Sequence, residues 1–255
     1  MLQLNKITVF KAQRTILEVD ELLIKEGQFN VILGHNGSGK STLMNLLARQ
    51  LQPSKGNILL NQRPISQFKQ RQLAQQIAFL PQKLPDAAGL SVTEIVQLGR
   101  YPWRGNLGRF TKHDHHLVMQ AMQQCDVSQY HQHFVDHLSG GERQRAWLAM
   151  LLAQDTPMLL LDEPTSALDL AHQYALMTLL KQLNQQQKKS IVVILHDVNL
   201  ACRVADRIIA LKKGRICFDG SPEQLLHQDT LSMLYGIKIN IVANPQNQQK
   251  VAIVS

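Results

Sequence analysis

The stretch Gly34-His35-Asn36-Gly37-Ser38-Gly39-Lys40-Ser41-Thr42 limits this chain to a narrow set of folds. It fits the pattern G-x-x-x-x-G-K-[ST]. It follows a short apolar run, Phe29 to Leu33, and opens a segment from Ser41 to Leu51 in which Leu43, Leu46, Leu47 and Leu51 recur at helical spacing. A buried strand, a glycine-rich turn and a helix in that order make a phosphate-binding loop. The glycines let successive backbone N–H groups turn inward on phosphate oxygens, and the helix N-terminus adds a favourable dipole. Lys40 then reaches the β- and γ-phosphates and Ser41 holds Mg²⁺. On its own the motif specifies only a bound nucleoside triphosphate.

The remaining pattern is α/β. The chain has 255 residues, 44% of them apolar and 18% charged, enough to bury a sizeable core and too few charges for a disordered chain. Leu2 to Phe10 and Thr15 to Ile24 read as strands, and Asn57 to Leu60 and Ile77 to Leu80 as further ones. Met158 to Asp162 and Ile191 to Leu195 are the continuous apolar runs of parallel strands covered on both faces. Helical stretches from about Ala171 to Gln187 and Leu200 to Ala205 cover them. Residues 87–152 read as helical, with loop signals at Pro102, Gly105 and Gly108. These features predict one domain over 1–255: a P-loop NTPase core with an N-terminal antiparallel β subdomain (1–86 and 153–255), interrupted by a helical subdomain (87–152). No apolar run reaches the eighteen or so residues of a membrane helix, and the N-terminus lacks the pattern of a signal peptide, so the expected place is the cytosol unless a partner holds the chain at a membrane. Cys125, Cys202 and Cys217 are too few and too scattered for a disulfide framework. The net charge of +8 fits solubility, anionic lipid or nucleic acid alike, and charge alone does not choose.

Two more segments carry chemistry. Met158 to Leu161 delivers Asp162 and Glu163 to the carboxyl end of a strand, where ligands bind in open α/β sheets. Asp162 would position Mg²⁺, directly or through water, and Glu163 would polarise the attacking water as a general base. In Leu138-Ser139-Gly140-Gly141-Glu142-Arg143-Gln144, Ser139 and Glu142 have the spacing of a capping box for a helix from Arg143 to Ala153, with Trp147 and Leu151 on its buried side. Gly140 and Gly141 leave that helix N-terminus open to a phosphate. This last segment resembles the signature motif of ABC-type ATPases.

The resemblance covers nearly the whole chain and carries the family's expectations onto matching positions. Gln82 falls at the loop that senses the γ-phosphate, joins the Mg²⁺ set and contacts the membrane subunit. Ser166-Ala167-Leu168-Asp169 falls at the loop that communicates between two subunits, and His196 at the switch histidine. Phe10 is the candidate for stacking the adenine. The family mechanism implies a head-to-tail dimer of two copies, with each ATP between one copy's phosphate loop and the other's Ser139-Gly140-Gly141. It also implies attachment to a membrane-spanning permease at the cytoplasmic face of the plasma membrane, with a substrate-binding protein as an indirect partner and no nucleic acid. Leu98 to Trp103, Gly105, Leu107 to Phe110, Arg145 to Trp147 and Leu234 to Ile237 resemble the iron–siderophore and vitamin B12 importers, nearest their ferric hydroxamate branch.

Other readings are weighed against this one. A DNA-repair ATPase with an ABC-type head would carry long coiled-coil insertions, and no sustained heptads are present. A GTPase would need a guanine-reading N-K-x-D segment, which is missing. An importer of vitamin B12, haem or zinc would use identical chemistry. His113, His115 and His116, and His131, His133 and His137, suit a metal by residue type. Without acidic or cysteine ligands at metal-site spacing, they read as surface imidazoles. Tyr101 and Trp103 could face the permease or sit in the core.

Overall fold

The computed structural model describes residues 1–12, 14–105, 108–243 and 248–254. In chain order its strands are β1 (Leu2–Lys11), β2 (Arg14–Ile24), β3 (Phe29–Leu33), β4 (Lys55–Leu60), β5 (Arg63–Pro64), β6 (Ile77–Leu80), β7 (Met158–Leu161), β8 (Ser190–Ile194), β9 (Arg207–Lys212), β10 (Arg215–Gly220), β11 (Ile239–Ala243) and β12 (Lys250–Val254). Its helices are α1 (Lys40–Leu47), α2 (Gln70–Ala74), α3 (Val92–Leu98), α4 (Tyr101–Arg104), α5 (Lys112–Gln124), α6 (Gly140–Ala153), α7 (Leu170–Gln187), α8 (Val198–Val204), α9 (Pro222–Leu225) and α10 (Gln228–Tyr235). They fall into two compact units, Met1–Ser66 with Ser190–Ser255, and Gln67–Lys189. The subdomain limits drawn from the sequence, 87 and 152, both lie inside the second unit.

In the first unit the strand order is β5-β4-β1-β2-β10-β9-β3-β8. β1 and β2 form an antiparallel hairpin registered from Leu2↔Ile24 to Lys11↔Arg14, with an irregularity between Val9 and Phe10. Leu2 and Leu4, then Ile7 and Val9, point inward with the period of a sheet with one buried face, the step between the pairs falling at Lys6, where φ is 50. β3 and β8 are buried at every position and pair in parallel, as their continuous apolar runs require. β9 completes the parallel set on the other side of β3. α1 is shorter than its leucine spacing suggests. It ends at Leu47, Arg49 turns to φ 54, and Leu51 is 38% exposed instead of continuing the buried stripe. The Arg49 guanidinium donates to the Ile65 carbonyl at 3.0 Å, which fixes the reversal.

In the second unit β6 and β7 pair in parallel, from Ile77↔Met158 to Leu80↔Leu161. α3, α5 and α6 pack against one another. Arg100 and Asp114 join them: Nε donates to Oδ1 at 2.8 Å, and Nη1 donates to the Ala153 carbonyl at 2.9 Å at the end of α6. Arg100 is only 4% exposed, so it is a buried strut and not a surface cation. Tyr101 and Trp103 are 50% and 41% exposed, which removes them from the core. The Trp103 Nε1 donates to the Gln154 carbonyl at 2.7 Å, and the Arg104 guanidinium lies over the Phe110 ring at 3.7 Å. Leu107, part of the segment resembling the siderophore importers, lies outside the described residues.

Candidate active site

The phosphate loop links β3 to α1. Its tightest constraint is at Gly34, where φ is +144° and a Cβ would meet the Leu211 carbonyl oxygen of β9 at 2.3 Å. Only glycine lets the loop leave the sheet so close to a neighbouring strand. Around Gly37, at φ +75°, the space is open. Lys40 is 4% exposed, and its Nζ donates to the Gly34 carbonyl at 2.8 Å and the His35 carbonyl at 3.0 Å, which brings the ammonium to the inside of the loop. The Ser38 hydroxyl oxygen is buried with no hydrogen-bond partner. An uncompensated polar atom of this kind, in a loop with an ammonium at its centre, suits an anionic oxygen. Ser41 and Thr42 stand in the first turn of α1, half-buried. Gly39, at φ +103°, caps that helix with no side chain of its own, leaving its leading N–H groups to a ligand.

Strand register places His196. Ile32 of β3 pairs with Ile194 of β8, and the Leu195 N–H donates to the Ile32 carbonyl at 3.2 Å. The chain thus emerges at His196 beside Gly34, and the imidazole is exposed there. Phe10 is also in this unit and 45% exposed. It pairs with Thr15, whose neighbour Ile16 presents its carbonyl to Gly39, where a Cβ would stand 3.3 Å away. Lys55 lies 5.8 Å from the centre of the Phe10 ring.

In the second unit the same logic of paired strand ends brings Gln82, Asp162 and Glu163 together. The Asp162 N–H continues the β6–β7 ladder by donating to the Leu80 carbonyl at 2.9 Å. Asp162 and Glu163 are 3% and 9% exposed, so they do not form a solvated acidic turn. The Gln82 Nε2 donates to the Glu163 Oε2 at 2.7 Å. Glu163 holds φ 52, a left-handed conformation uncommon outside glycine, asparagine and aspartate.

Ser139, Gly140 and Gly141 open α6, three residues earlier than the sequence placed its start. The capping box is present: Ser139 Oγ accepts from the Glu142 N–H at 3.4 Å, and the Glu142 carboxylate accepts from the Ser139 N–H and hydroxyl at 2.9 and 2.7 Å. The bond from the Ser139 hydroxyl, then those from the Tyr130 hydroxyl and the Ser139 N–H, lower the Glu142 pKa to about 2. Ser139, Gly141, Ala167 and Asp169 line one polar depression of about 520 Å³, together with Arg145, Tyr130 and His172. Asp169 caps α7, accepting from the His172 N–H at 2.9 Å and pairing with its Nδ1 at 2.8 Å. These contacts lower its pKa, the backbone bond most.

Gln144 has no role assigned from the sequence, yet it joins the two chemical segments of this unit. It is 7% exposed, its amide donates to the Pro164 carbonyl, and its Oε1 accepts from the Ala167 N–H at 3.3 Å. An amide at a position where helix period predicts an apolar residue was the available signal. The histidines of the helical region make local contacts: His115 lies against Phe110, His133 against Tyr130 and His137 against Phe134. Among the described residues no helix is long and apolar enough to cross a membrane.

Comparison with known proteins agrees with this geometry. The family model described as ABC transporter matches residues 17–166. The achromobactin transport ATP-binding protein of Dickeya dadantii is 41% identical over 242 residues, covering 94% of this chain and 90% of that protein. The iron(3+)-hydroxamate import ATP-binding protein of Bacillus subtilis is 35% identical over 252 residues, covering 99% and 94%. Among solved structures, an inward-facing metal-chelate type ABC transporter superposes with a TM-score of 0.85 at 26% identity, covering 100% of this chain and 97% of that one. A dimeric bacterial ABC transporter cassette gives 0.79 at 30% identity over 87% of this chain and 99% of that one. A loop built around a buried ammonium, strand ends that carry a buried acidic pair, and relatives matched over almost their full length lead to one conclusion: this chain belongs to the ABC transporter family, as an ATP-binding subunit with ATPase activity.

Proposed function

We propose that the chain powers uptake of an iron chelate across the plasma membrane, from the cytoplasmic side, as a dimer bound to a permease that a substrate-binding protein loads. The observation that carries the hydrolytic part is the buried Glu163 carboxylate, held by Gln82 at the ends of two parallel strands. A carboxylate so fixed can accept a proton from water attacking the γ-phosphate, which is general-base catalysis. The phosphate-loop N–H groups and Lys40 bind the phosphates and stabilise charge that develops on them. His196 contacts the γ-phosphate and Phe10 stacks the adenine. Ser41 in the first unit, and Gln82 and Asp162 in the second, each carry an oxygen of the kind Mg²⁺ takes, and the family resemblance is what groups them as its ligands. When bound, that ion neutralises phosphate charge.

Ser139, Gly141 and Asp169 line a polar depression at the N-terminus of α6, which Gly140 opens. We read it as the face that meets the nucleotide of a second copy. Leu98, Tyr101 and Trp103 are exposed on adjoining helices after Gln82 and suit a short helix of the permease. The cargo reading rests on the relatives, which are named for achromobactin, petrobactin, ferric enterobactin, iron(3+)-hydroxamate and hemin. Ferric hydroxamates are the cargo we favour. The test has two arms. Glu163→Gln should keep ATP binding and lose turnover by roughly 10²–10⁴-fold, and near-normal turnover rejects the general base. Cells lacking this chain should lose uptake of labelled ferrichrome. Loss confined to another chelate, to hemin or to vitamin B12 moves the cargo assignment and leaves the ATPase untouched.

A further inference from the structure

The C-terminal residues of the first unit touch the loop assigned above to phosphate and the helix that follows the switch histidine. α10 is anchored by Leu231 and Leu234, both buried, and ends at Tyr235, where Gly236 turns the chain at φ 71. The Tyr235 ring meets His35 of the phosphate loop edge-on, with centroids 5.4 Å apart and planes at 69°. Its hydroxyl is buried without a partner, so the ring and not the hydroxyl makes the contact that matters. Burial, with Cys202 and Asp197 of the α8 region acting second, raises the phenol's pKa. Lys212, next to the Leu211 carbonyl that crowds Gly34, donates from Nζ to the Met233 carbonyl of α10.

The second tie is at Asn199. Asp197 caps α8 by accepting from the Asn199 and Leu200 N–H groups at 2.7 and 3.0 Å, which fixes Asn199 three residues after His196. The Asn199 amide then donates to the Ala252 carbonyl at 3.0 Å and accepts from the Ala252 N–H at 2.9 Å. One side chain thus imitates a neighbouring strand along the edge of β12. β11 and β12 form a separate two-stranded sheet, an arrangement marginal in water unless docked. The Ile239 N–H also donates to the Ser232 hydroxyl at 3.3 Å, joining the hairpin to α10.

We propose that Asn199 and Tyr235 are positioning residues for ATP hydrolysis: through them the C-terminal segment braces the phosphate loop and the His196 loop as one assembly. The proposal rests on the nucleotide reading of those loops. Neither residue touches ATP. Asn199 sets where His196 stands, so its loss should lower turnover. Tyr235 sets how the loop at His35 is held, so its loss should weaken nucleotide binding as well.

The experiment is steady-state ATPase of the purified full-length chain, with thermal unfolding of every variant. Asn199→Ala should lower kcat roughly 3- to 10-fold, the scale of one or two lost hydrogen bonds, with KM for ATP nearly unchanged. Tyr235→Ala should raise KM by a similar factor, and Tyr235→Phe, which keeps the ring, should restore it. If Asn199→Ala does not fold, Asn199→Asp replaces it, since the carboxylate still accepts from the Ala252 N–H but cannot donate, and the same fall in kcat is expected. Wild-type kcat in the folded Asn199 variant, a lowered Tm with unchanged kcat and KM, or equal damage from Tyr235→Phe and Tyr235→Ala overturns the brace. Lys40→Ala is the control: undiminished turnover there overturns the nucleotide reading and the brace with it, whereas an inactive Lys40→Ala with an unaffected Asn199 variant overturns the brace alone.

Discussion

Replacing Asp114 by Ala should be among the most damaging changes far from the phosphates. The side chains of Arg100 and Asp114 are only 5% and 6% exposed, and Asp114 does two jobs. Its Oδ1 neutralises Arg100, and its Oδ2 accepts from the Thr111 N–H at 2.9 Å and hydroxyl at 2.7 Å, capping α5. Removing it leaves a buried guanidinium without a counter-charge, which costs about 3–5 kcal/mol, with the lost cap adding about 1 kcal/mol. For a chain of this size each kcal/mol moves Tm by roughly 2–4 °C, so a fall on the order of 10 °C is expected. Asp114→Asn keeps a cap acceptor and should fall less. Burial pushes the Asp114 pKa up, but hydrogen bonds from Thr111 and Arg100 and the guanidinium charge outweigh it and hold the group at about 2, against 3.8 in the unfolded chain. A depressed carboxylate contributes its stability in full above the unfolded value and loses it as pH falls toward the folded one. The Tm gap between wild type and Asp114→Asn should therefore be constant near pH 7 and close between about pH 4 and 2. Thermal melts across that range measure it. A Tm for Asp114→Ala within about 2 °C of wild type at pH 7 would refute the reasoning, because no buried charge could then have been left unpaired.

Three further outcomes are expected. Lys40→Ala should lose ATP affinity and turnover together, read by nucleotide titration and phosphate release, because on the proposed reading the ammonium held inside the loop compensates phosphate charge. A mixed dimer of Gly141→Asp and Lys40→Ala copies should keep at most one working site. Normal hydrolysis by either variant as a monomer would count against a shared site. Gly34→Ala should lower Tm as well as activity, since a Cβ 2.3 Å from the Leu211 carbonyl forces β9 or the loop to move, and an unchanged melt would show that the loop has room to yield.

The parts of the fold that could be read from the sequence are those where one strong force decides. Phe29–Leu33, Met158–Leu161 and Ser190–Ile194 are apolar at nearly every position because both faces are covered, and the groups after them stand at strand ends by necessity. The Ser139–Glu142 cap was legible because two side chains three residues apart satisfy each other locally. Distant partners were not legible. Arg100 has the composition of a surface residue and is buried only because Asp114, fourteen positions on, and the end of α6 meet it. The end of α1 depends on a carbonyl at Ile65, while leucine spacing alone continues the helix. The β11–β12 hairpin escaped notice because its strands expose most of their residues and dock through the distant side chains of Asn199 and Ser232. Gln144 was visible within a motif, but what it spans is a matter of tertiary structure.

On the role proposed for Glu163, its backbone sets stability and chemistry against each other. A residue with a branched or long side chain held at φ 52 costs on the order of 1 kcal/mol or more relative to glycine, which visits that region freely. Selection for a sturdier protein alone would put glycine or asparagine there. Either would relax the turn after β7 and remove the carboxylate that Gln82 holds. Glu163→Gly should therefore melt higher than wild type in the absence of nucleotide while being catalytically dead. A strained turn of this kind also ties the carboxylate to the main chain, so that any shift in the loop from Pro164 to Ala167, which Gln144 connects to the signature helix, would reach the acid as a rotation of its own backbone.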